Sequence, residues 1–339
     1  MISASIVVQT VTPSLGVPGG EIEIRCRGFR PDLPYSAQVL LGNVRAEIIS
    51  ASEELINIRL PDSPQALGIT LKTSENTSAV FPFSPARRLA GGLQPVCNPV
   101  VASDGSIITT ISGRRGQRVA QPLIRVTRLG ETIPYSCEVM NPTGLALDKN
   151  GQLYISSRND GVVYRYTEFE QLDIVAEDVG VACGIVFDSE GFLYVGDRSG
   201  KIYRIDENGN KKEFAALEPS ISAYHLAVDS LNRLYVTGPT LSLRDSLYRI
   251  SAEGKVQVLL QGLARPQGMA FLPGGDLLLA AAYQGKKGIF RYSADTGMLT
   301  HYIAAPILVG LAVSGEDIFL ADNTSIFWTK PEGAFKSIS

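Results

Sequence analysis

One segment of about 40 residues recurs along most of this chain. The stretch NPTGLALDKNGQLYI is followed forty residues later by VACGIVFDSEGFLYV, and six copies are recognisable in all. Their anchor residues are Asn98, Gly144, Gly184, His225, Gly268 and Gly310, with successive spacings of 46, 40, 41, 43 and 42 residues. A period of this length with four short strands per unit is typical of β-propeller blades. The repeats therefore predict a propeller of six blades.

Each copy also repeats the same pattern of strands. A large apolar residue of the second strand follows the anchors by ten positions, or nine in the last copy: Ile108, Tyr154, Tyr194, Tyr235, Leu278 and Phe319. Asp, Asn and Gly residues between anchor and second strand are suited to a tight turn. The third strand carries arginine in five copies and tryptophan in the sixth: Arg125, Arg165, Arg204, Arg249, Arg291 and Trp328. A residue that recurs in nearly every blade is expected to be architectural.

The pattern contains one outer strand too many. Residues 87–92 and residues 334–339 both have the character of an outer strand for the sixth blade. Pairing the two ends of a propeller is the usual way to remove its open edges. The sequence leaves open which of the two segments closes the ring.

Residues 1–84 follow a different pattern, in which short alternating strands are broken by PSLGVPGG, RPDLP and PDSPQ. This spacing predicts a small β-sandwich. The segment resembles the IPT/TIG immunoglobulin-like family at Pro13, Gly16, Gly19, Gly20, Gly28, Phe29, Gly42 and Pro61. The resemblance implies a spacer or interaction module without chemistry of its own. We therefore expect an all-β chain, with an immunoglobulin-like sandwich over 1–84 and a six-bladed propeller over 85–339.

The repeat core PxGLAxDxxGxLYV resembles the NHL-repeat propellers and the gluconolactonase (regucalcin-like) superfamily. In the lactonase branch, the resemblance implies a divalent metal at the channel mouth, held by Glu, Asn and Asp side chains of the innermost strands. The positions just before the anchors are Cys97, Thr143, Cys183, Tyr224, Gln267 and Val309, and none is a carboxylate. We therefore predict no cofactor, with a divalent metal only under a lactonase-like alternative. The same gap weakens a strictosidine-synthase-like role.

Two candidates for chemistry remain at the channel. His225 replaces the glycine found at four other anchors and lies beside Tyr224. Histidine titrates near neutral pH, so this pair is the best candidate for an acid or base, although a packed histidine would give the same pattern. The inward positions further along each first strand are apolar, which predicts a packed plug below the mouth.

The loops that join the second and third strands lie on the same face as the channel mouth. They and the loops entering each blade carry several cations, and we expect a ligand-binding rim on this face that includes Thr143 and Gln267 with Arg114, Arg115, Arg158, Arg198, Arg244 and Arg265. Arginine forks suit carboxylate or phosphate, so the hypothesis is an anionic ligand. The alternative is a surface on which Asp160, Asp197, Asp245 and Asp322 neutralise their neighbours.

Composition excludes several classes of protein. The net charge is −3, and neither part has the basic excess of a nonspecific nucleic-acid binder. The longest apolar run, Leu277 to Tyr283, is too short to span a membrane. With four cysteines in no metal-binding spacing and no secretion signal in view, we expect buried free thiols and a cytoplasmic protein, unless a signal peptide has been removed.

Three functional interpretations follow from these observations. The first is a binding or scaffold protein that recognises a small molecule or a protein on the loop-rich face. The second is a lactonase-like hydrolase, or another small-molecule enzyme, at the channel mouth. The third is a structural role in which the sandwich domain drives self-assembly.

Overall fold

The computed structural model describes residues 5–30, 37–62, 68–111, 113, 117, 119–167, 169–242 and 244–331. Thirty-two strands and no helix lie among these residues. No helix of the length and apolar character needed to cross a bilayer is therefore present in the described part of the chain. The predicted all-β fold is confirmed.

Eight strands precede the repeats: β1 (Val7–Thr12), β2 (Leu15–Gly16), β3 (Glu21–Arg27), β4 (Gln38–Leu41), β5 (Val44–Arg45), β6 (Glu47–Ala51), β7 (Leu55–Arg59) and β8 (Ile69–Lys72). Seven of them form a sheet in the order β1-β3-β7-β6 and a sheet in the order β5-β4-β8. Strand β3 alternates between exposed and buried residues, so Ile22 and Ile24 enter a hydrophobic cluster shared with Val39 and Leu71 of the other sheet. The IPT/TIG assignment and the boundary at residue 84 stay predictions.

The remaining strands are β9 (Arg87–Ala90), β10 (Val100–Val101), β11 (Ile107–Thr110), β12 (Leu123–Val126), β13 (Thr132–Pro134), β14 (Pro142–Leu147), β15 (Leu153–Ser157), β16 (Val162–Tyr166), β17 (Leu172–Ala176), β18 (Ala182–Phe187), β19 (Leu193–Asp197), β20 (Lys201–Ile205), β21 (Lys211–Ala216), β22 (His225–Val228), β23 (Leu234–Thr237), β24 (Asp245–Ile250), β25 (Val256–Leu263), β26 (Met269–Phe271), β27 (Leu277–Tyr283), β28 (Lys286–Tyr292), β29 (Leu299–Ala304), β30 (Gly310–Ser314), β31 (Asp317–Ala321) and β32 (Ile326–Thr329). Among the described residues they form six antiparallel sheets, the blades of a propeller.

The six blades close into a ring through their first strands. Strands β10, β14, β18, β22, β26 and β30 each contact the next in this order, and β30 contacts β10. In the sixth blade, β9 pairs antiparallel with β32 and supplies the outer strand. The question that the sequence left open is therefore answered in favour of residues 87–90, while residues 334–339 lie outside the described part of the chain.

The second and third strands pair in the same register in every blade. In all six, the apolar residue of the second strand pairs with the recurring residue of the third: Ile108 with Arg125, Tyr154 with Arg165, Tyr194 with Arg204, Tyr235 with Arg249, Leu278 with Arg291, and Phe319 with Trp328. The arginines make contacts within their own blades. Arg125 donates to the hydroxyl of Tyr135 at 2.7 Å, and Arg165 pairs with Asp173 at 2.7 Å. These contacts support an architectural role.

The predicted tight turns between first and second strands are also present. Each of the six turns contains one residue with φ between 57° and 92°: Gly105, Gly151, Gly191, Asn232, Gly275 and Gly315. Glycine and asparagine tolerate this left-handed backbone, whereas other side chains clash there. The Gly and Asn residues of the repeat are therefore required by the turn itself.

The first segment is attached to the fifth blade by backbone pairing. Strand β2 runs parallel to β29 and becomes a fifth strand of that blade. The N–H of Val17 donates to the carbonyl of Ala304 at 2.8 Å, and Ala304 also belongs to the hydrophobic cluster between the first two sheets. A Cβ atom on Gly20 would lie only 2.4 Å from the oxygen of Ala304. The first segment and the fifth blade are therefore tightly packed at Gly20 and Ala304, with no room for an additional methyl group.

We predict that Gly20→Ala destabilises the protein, because the new methyl group meets backbone atoms that cannot move aside. Overpacking of this kind costs about 1–3 kcal/mol in the free energy of unfolding. Gly274→Ala is the matched control, since no atom lies within 4 Å of its Cβ position. Urea denaturation of the three proteins measures the difference. Equal stability of the two variants would show that the contact at Ala304 is not tight.

Candidate functional site

The first strands approach one another very closely at the anchor positions. A Cβ atom on Gly144 would lie 2.3 Å from the oxygen of Cys183, and one on Gly310 would lie 2.4 Å from the oxygen of Cys97. Real Cβ atoms do not approach a carbonyl oxygen this closely, so neither position accepts a side chain. The anchor glycines therefore set how narrow the ring is at the channel mouth.

The other two anchors carry side chains that bridge blades across this narrow level. The Asn98 amide donates from Nδ2 to the oxygen of Met269 at 2.9 Å, and its Oδ1 accepts from the N–H of Leu311 at 3.1 Å. The His225 ring bonds through Nε2 to Oε1 of Gln267 at 3.1 Å, so Nε2 carries the proton. A cavity of about 10 Å³ remains beside Asn98 and His225, enough for one water molecule at most.

His225 and Tyr224, the candidate acid and base, are both enclosed. Burial lowers the pKa of His225 to about 4, opposed by the bond to Gln267, so the ring is neutral at pH 7. Tyr224 is 1% exposed and packs in the hydrophobic cluster between the third and fourth blades, where it fills the space beside Gly196 and Gly238. Its side chain therefore lies in the core between the blades and not around the mouth, where the sequence placed it.

The remaining residues before the anchors are also engaged. Thr143 is buried and donates from Oγ1 to the oxygen of Ala182 at 2.6 Å. Burial raises the pKa of both Cys97 and Cys183 to about 11, so both are thiols at pH 7. The four cysteines are free, and three of them are buried as expected, whereas Cys137 is partly exposed. In the described part of the chain, no group of three or more His, Cys, Asp or Glu residues is placed to hold a metal ion.

The channel beyond the anchors is apolar, as predicted, but it is not a filled plug. A well of about 360 Å³ is lined by first-strand residues of all six blades, among them Leu147, Phe187, Val228 and Phe271. The prediction of complete packing is therefore wrong at this level.

The predicted rim arginines lie on the loop-rich face, except that Arg114 and Arg115 fall outside the described residues. Arg158 donates to the oxygen of Gly113 at 3.0 Å, and Arg198 donates to the oxygen of Ser220 at 3.2 Å. Arg158 lies in the β15–β16 loop of the second blade and Arg198 in the β19–β20 loop of the third, so the two arginines belong to neighbouring blades. Arg244 and Arg265 are exposed on the next loops around the ring.

The four loop aspartates bond mainly to their own turns. Asp245 accepts from the N–H and hydroxyl of Thr240, Asp322 accepts from the N–H groups of Thr324 and Ser325, and Asp197 accepts from the N–H of Val181. Asp160 bonds to Ser157 and Asn159. Among the described residues, none of these aspartates forms an ion pair with Arg198, Arg244 or Arg265.

Exposed apolar residues lie among these arginines. Val181, Ile221 and Leu241 are 37%, 46% and 89% exposed. Backbone bonds connect their loops, since Arg198 N–H donates to Val181 and Ile221 N–H donates to Pro239. We call the surface formed by Arg158, Val181, Arg198, Ile221, Leu241 and Arg244 the arginine arc.

A second feature was not predicted from the sequence. A cleft of about 990 Å³ separates the exposed face of the first sheet from the loops of the fifth and sixth blades. Its lining includes Glu21, Asn57, Lys286, Lys287 and Asn323. In the sequence, Lys286 and Lys287 are cations of a long loop between the second and third strands of the fifth blade. No sequence pattern indicated that the first sheet forms the opposite wall of a cleft.

Comparison with known proteins supports the fold and no finer assignment. A family model described as strictosidine synthase-like, N-terminal, matches residues 184–205, which are the first three strands of the third blade. No curated protein matches the sequence. A match of this length does not assign the chain to that family.

Solved structures with similar folds exist. A structural genomics protein of unknown function from Bacteroides thetaiotaomicron (TM-score 0.58, 12% identity) covers 97% of this chain and 99% of its own. An auxiliary nutrient binding protein from the same organism (TM-score 0.56, 12% identity) covers 96% and 98%. A candidate gluconolactonase (TM-score 0.58, 17% identity) covers 72% and 91%. At these identities the likeness shows a propeller fold alone.

We predict that protonation of His225 destabilises the fold. Its pKa is lowered from 6.5 to about 4 in the folded state, so between these values the unfolded chain binds a proton that the folded chain does not. The free energy of unfolding therefore falls as pH decreases from 6.5 to 4, by up to about 3 kcal/mol from this group. Urea denaturation at pH 7 and 4.5 of the wild type and His225→Gln measures the effect. Parallel pH dependence of the two proteins would contradict it.

Proposed function

We propose that this protein is a binding protein whose arginine arc recognises an acidic segment of a protein partner. The observation that carries the proposal is the placement of Arg158, Arg198 and Arg244 beside exposed Val181 and Leu241 on connected loops. Exposed apolar side chains next to arginine are characteristic of protein interfaces, where both residue types contribute to affinity. The arginine forks fit carboxylates of the partner in two-point contacts.

The bonding of the loop aspartates supports the same proposal. Asp197 and Asp245 are buried; Asp245 accepts a hydrogen bond from Thr240 of its own loop, and Asp197 accepts one from Val181 of the loop that enters the same blade, so both stabilise the loops that carry the arginines. A rigid loop with an exposed cation loses little freedom when a partner binds. The arc thus has the features of a preorganised recognition surface.

The comparisons are compatible with a binding role. The auxiliary nutrient binding protein is similar over both parts of the chain, and the candidate gluconolactonase only over about the extent of the propeller. Both likenesses concern the fold, so they support the proposal without assigning a ligand. A small anionic ligand on the same rim, including Arg265, is the narrower form of this proposal.

The alternative is a lactonase-like hydrolase with its site at the channel mouth. Its support is the candidate gluconolactonase among the structural neighbours and the polar pair of His225 and Gln267 near the axis. Against it, His225 is 4% exposed, and the adjoining cavity is too small for a substrate. Lactone turnover that is abolished by a chelator would favour this alternative over the binding role.

We predict that Arg158→Ala, Arg198→Ala and Arg244→Ala together weaken partner binding at least about tenfold. Each lost hydrogen bond between charged groups costs about 1.5–3 kcal/mol. The measurement is a selection of short displayed peptides on the wild type, followed by titration of the selected peptides against the triple variant. We expect the wild type to enrich peptides that combine Asp or Glu with apolar residues.

The control removes the same charge elsewhere, through Arg27→Ala, Lys149→Ala and Lys212→Ala, which are exposed side chains outside the arc. This control should bind the selected peptides as the wild type does. Peptides without acidic residues, or equal affinity for the triple variant, would be evidence against the arc as the recognition surface.

A further inference from the structure

The cleft between the first sheet and the propeller has the size of a ligand site. Its volume of about 990 Å³ lies at the upper end of the range for small-molecule pockets. One wall is the exposed face of β3 and β7, and the other consists of the β27–β28 turn with the loop that enters the sixth blade and the β31–β32 loop within it. It lies away from the arginine arc, which belongs to the second, third and fourth blades.

The propeller wall presents two cations without a counterion. Lys286 and Lys287 are exposed at a hairpin turn, where Gln284 and Gly285 adopt φ values of 48° and 78°. No carboxylate among the described residues pairs with either ammonium group. His301 donates from Nε2 to the oxygen of Lys287 at 2.9 Å, which stabilises the base of the turn. The turn therefore holds a fixed positive charge at the cleft.

The sheet wall is different because its carboxylates already have cations. Arg59 bonds to Glu21 at 2.9 Å and to Glu47 at 2.7 Å, and Glu23 lies 3.5 Å from Arg25. Because these carboxylates are already paired, they attract a further cation only weakly. The same carboxylates would repel a second anionic group on the ligand. The amides of Asn57 on the sheet wall and Asn323 on the propeller wall supply donors and acceptors for an uncharged polar body.

We propose that the cleft binds a small molecule with one carboxylate or phosphate, held at Lys286 and Lys287, and an uncharged, hydroxyl-rich remainder that faces Asn57 and Asn323. This site is separate from the arginine arc and takes a different class of ligand. Both lysines line the cleft, and both are needed because a single exposed ion pair contributes little in water, whereas two positive charges attract an anion more strongly.

The test uses the intact chain and three probes of matched size: gluconate, glucose 6-phosphate and glucose. Isothermal titration at constant ionic strength should show saturable binding of at least one of the two anions, and at least about tenfold weaker binding of glucose. The gluconate and glucose 6-phosphate arms distinguish a carboxylate ligand from a phosphate ligand. Absence of binding for both anions overturns the proposal.

Variants then assign the site. Lys286→Ala with Lys287→Ala should weaken binding of the anion at least about tenfold, and Asn57→Asp, which adds a negative charge to the opposite wall, should weaken it in the same direction. Lys212→Ala with Lys255→Ala removes the same charge from other exposed positions and should change nothing. Anion binding that persists in the Lys286/Lys287 variant overturns the site. In the triple arginine variant, anion binding is expected to persist, so this variant distinguishes the cleft proposal from the proposal for the arginine arc.

Discussion

The closeness of the six inner strands determines what the rest of this protein can do. Where Gly144 and Gly310 face the carbonyl groups of the next blade, no side chain fits, and the two anchors that do carry side chains use them to bond across blades. The axis is thereby almost closed at the mouth, with space for about one water molecule. Chemistry that needs access to a substrate therefore has little room at the mouth.

Much of the fold was predictable because each strand and turn inferred from one copy of the repeat could be compared with the same position in the other copies. The sequence assigned Tyr154, Tyr194 and Tyr235 to equivalent second strands, and the structure shows each of them paired with an arginine of the third strand. The turns were predictable for a local reason, since a left-handed residue is needed between first and second strands. The strand positions and the turns both depend on short-range backbone geometry, which is determined by residues close together in the sequence.

The orientation of side chains near the anchors was not predictable in the same way. Strict alternation placed Tyr224 at the mouth, but its ring lies between two blades. Tyr224 precedes His225, the first paired residue of β22, so strand alternation does not fix its orientation. In the second and third blades the pairing at this level is also irregular, with register shifts between Pro142 and Gly144 and between Ala182 and Ile185. A bulge changes the face on which later residues lie, and nothing in composition marks it. The cleft was missed for a related reason, because β2 is a two-residue strand inside a Gly- and Pro-rich stretch that has the appearance of a turn.

The origin of β9 has a consequence for how the ring is made during translation. Residues 87–90 leave the ribosome before any complete blade, yet their hydrogen-bonding partner, β32, is among the last strands to be synthesised. Until then β9 has an unpaired edge, which is a site for misassociation in any nascent β protein. Closure of the ring therefore joins the first and the last strands of the propeller to be synthesised in one late step. Before that step, the apolar faces at the two ends of the open row of five blades remain uncovered.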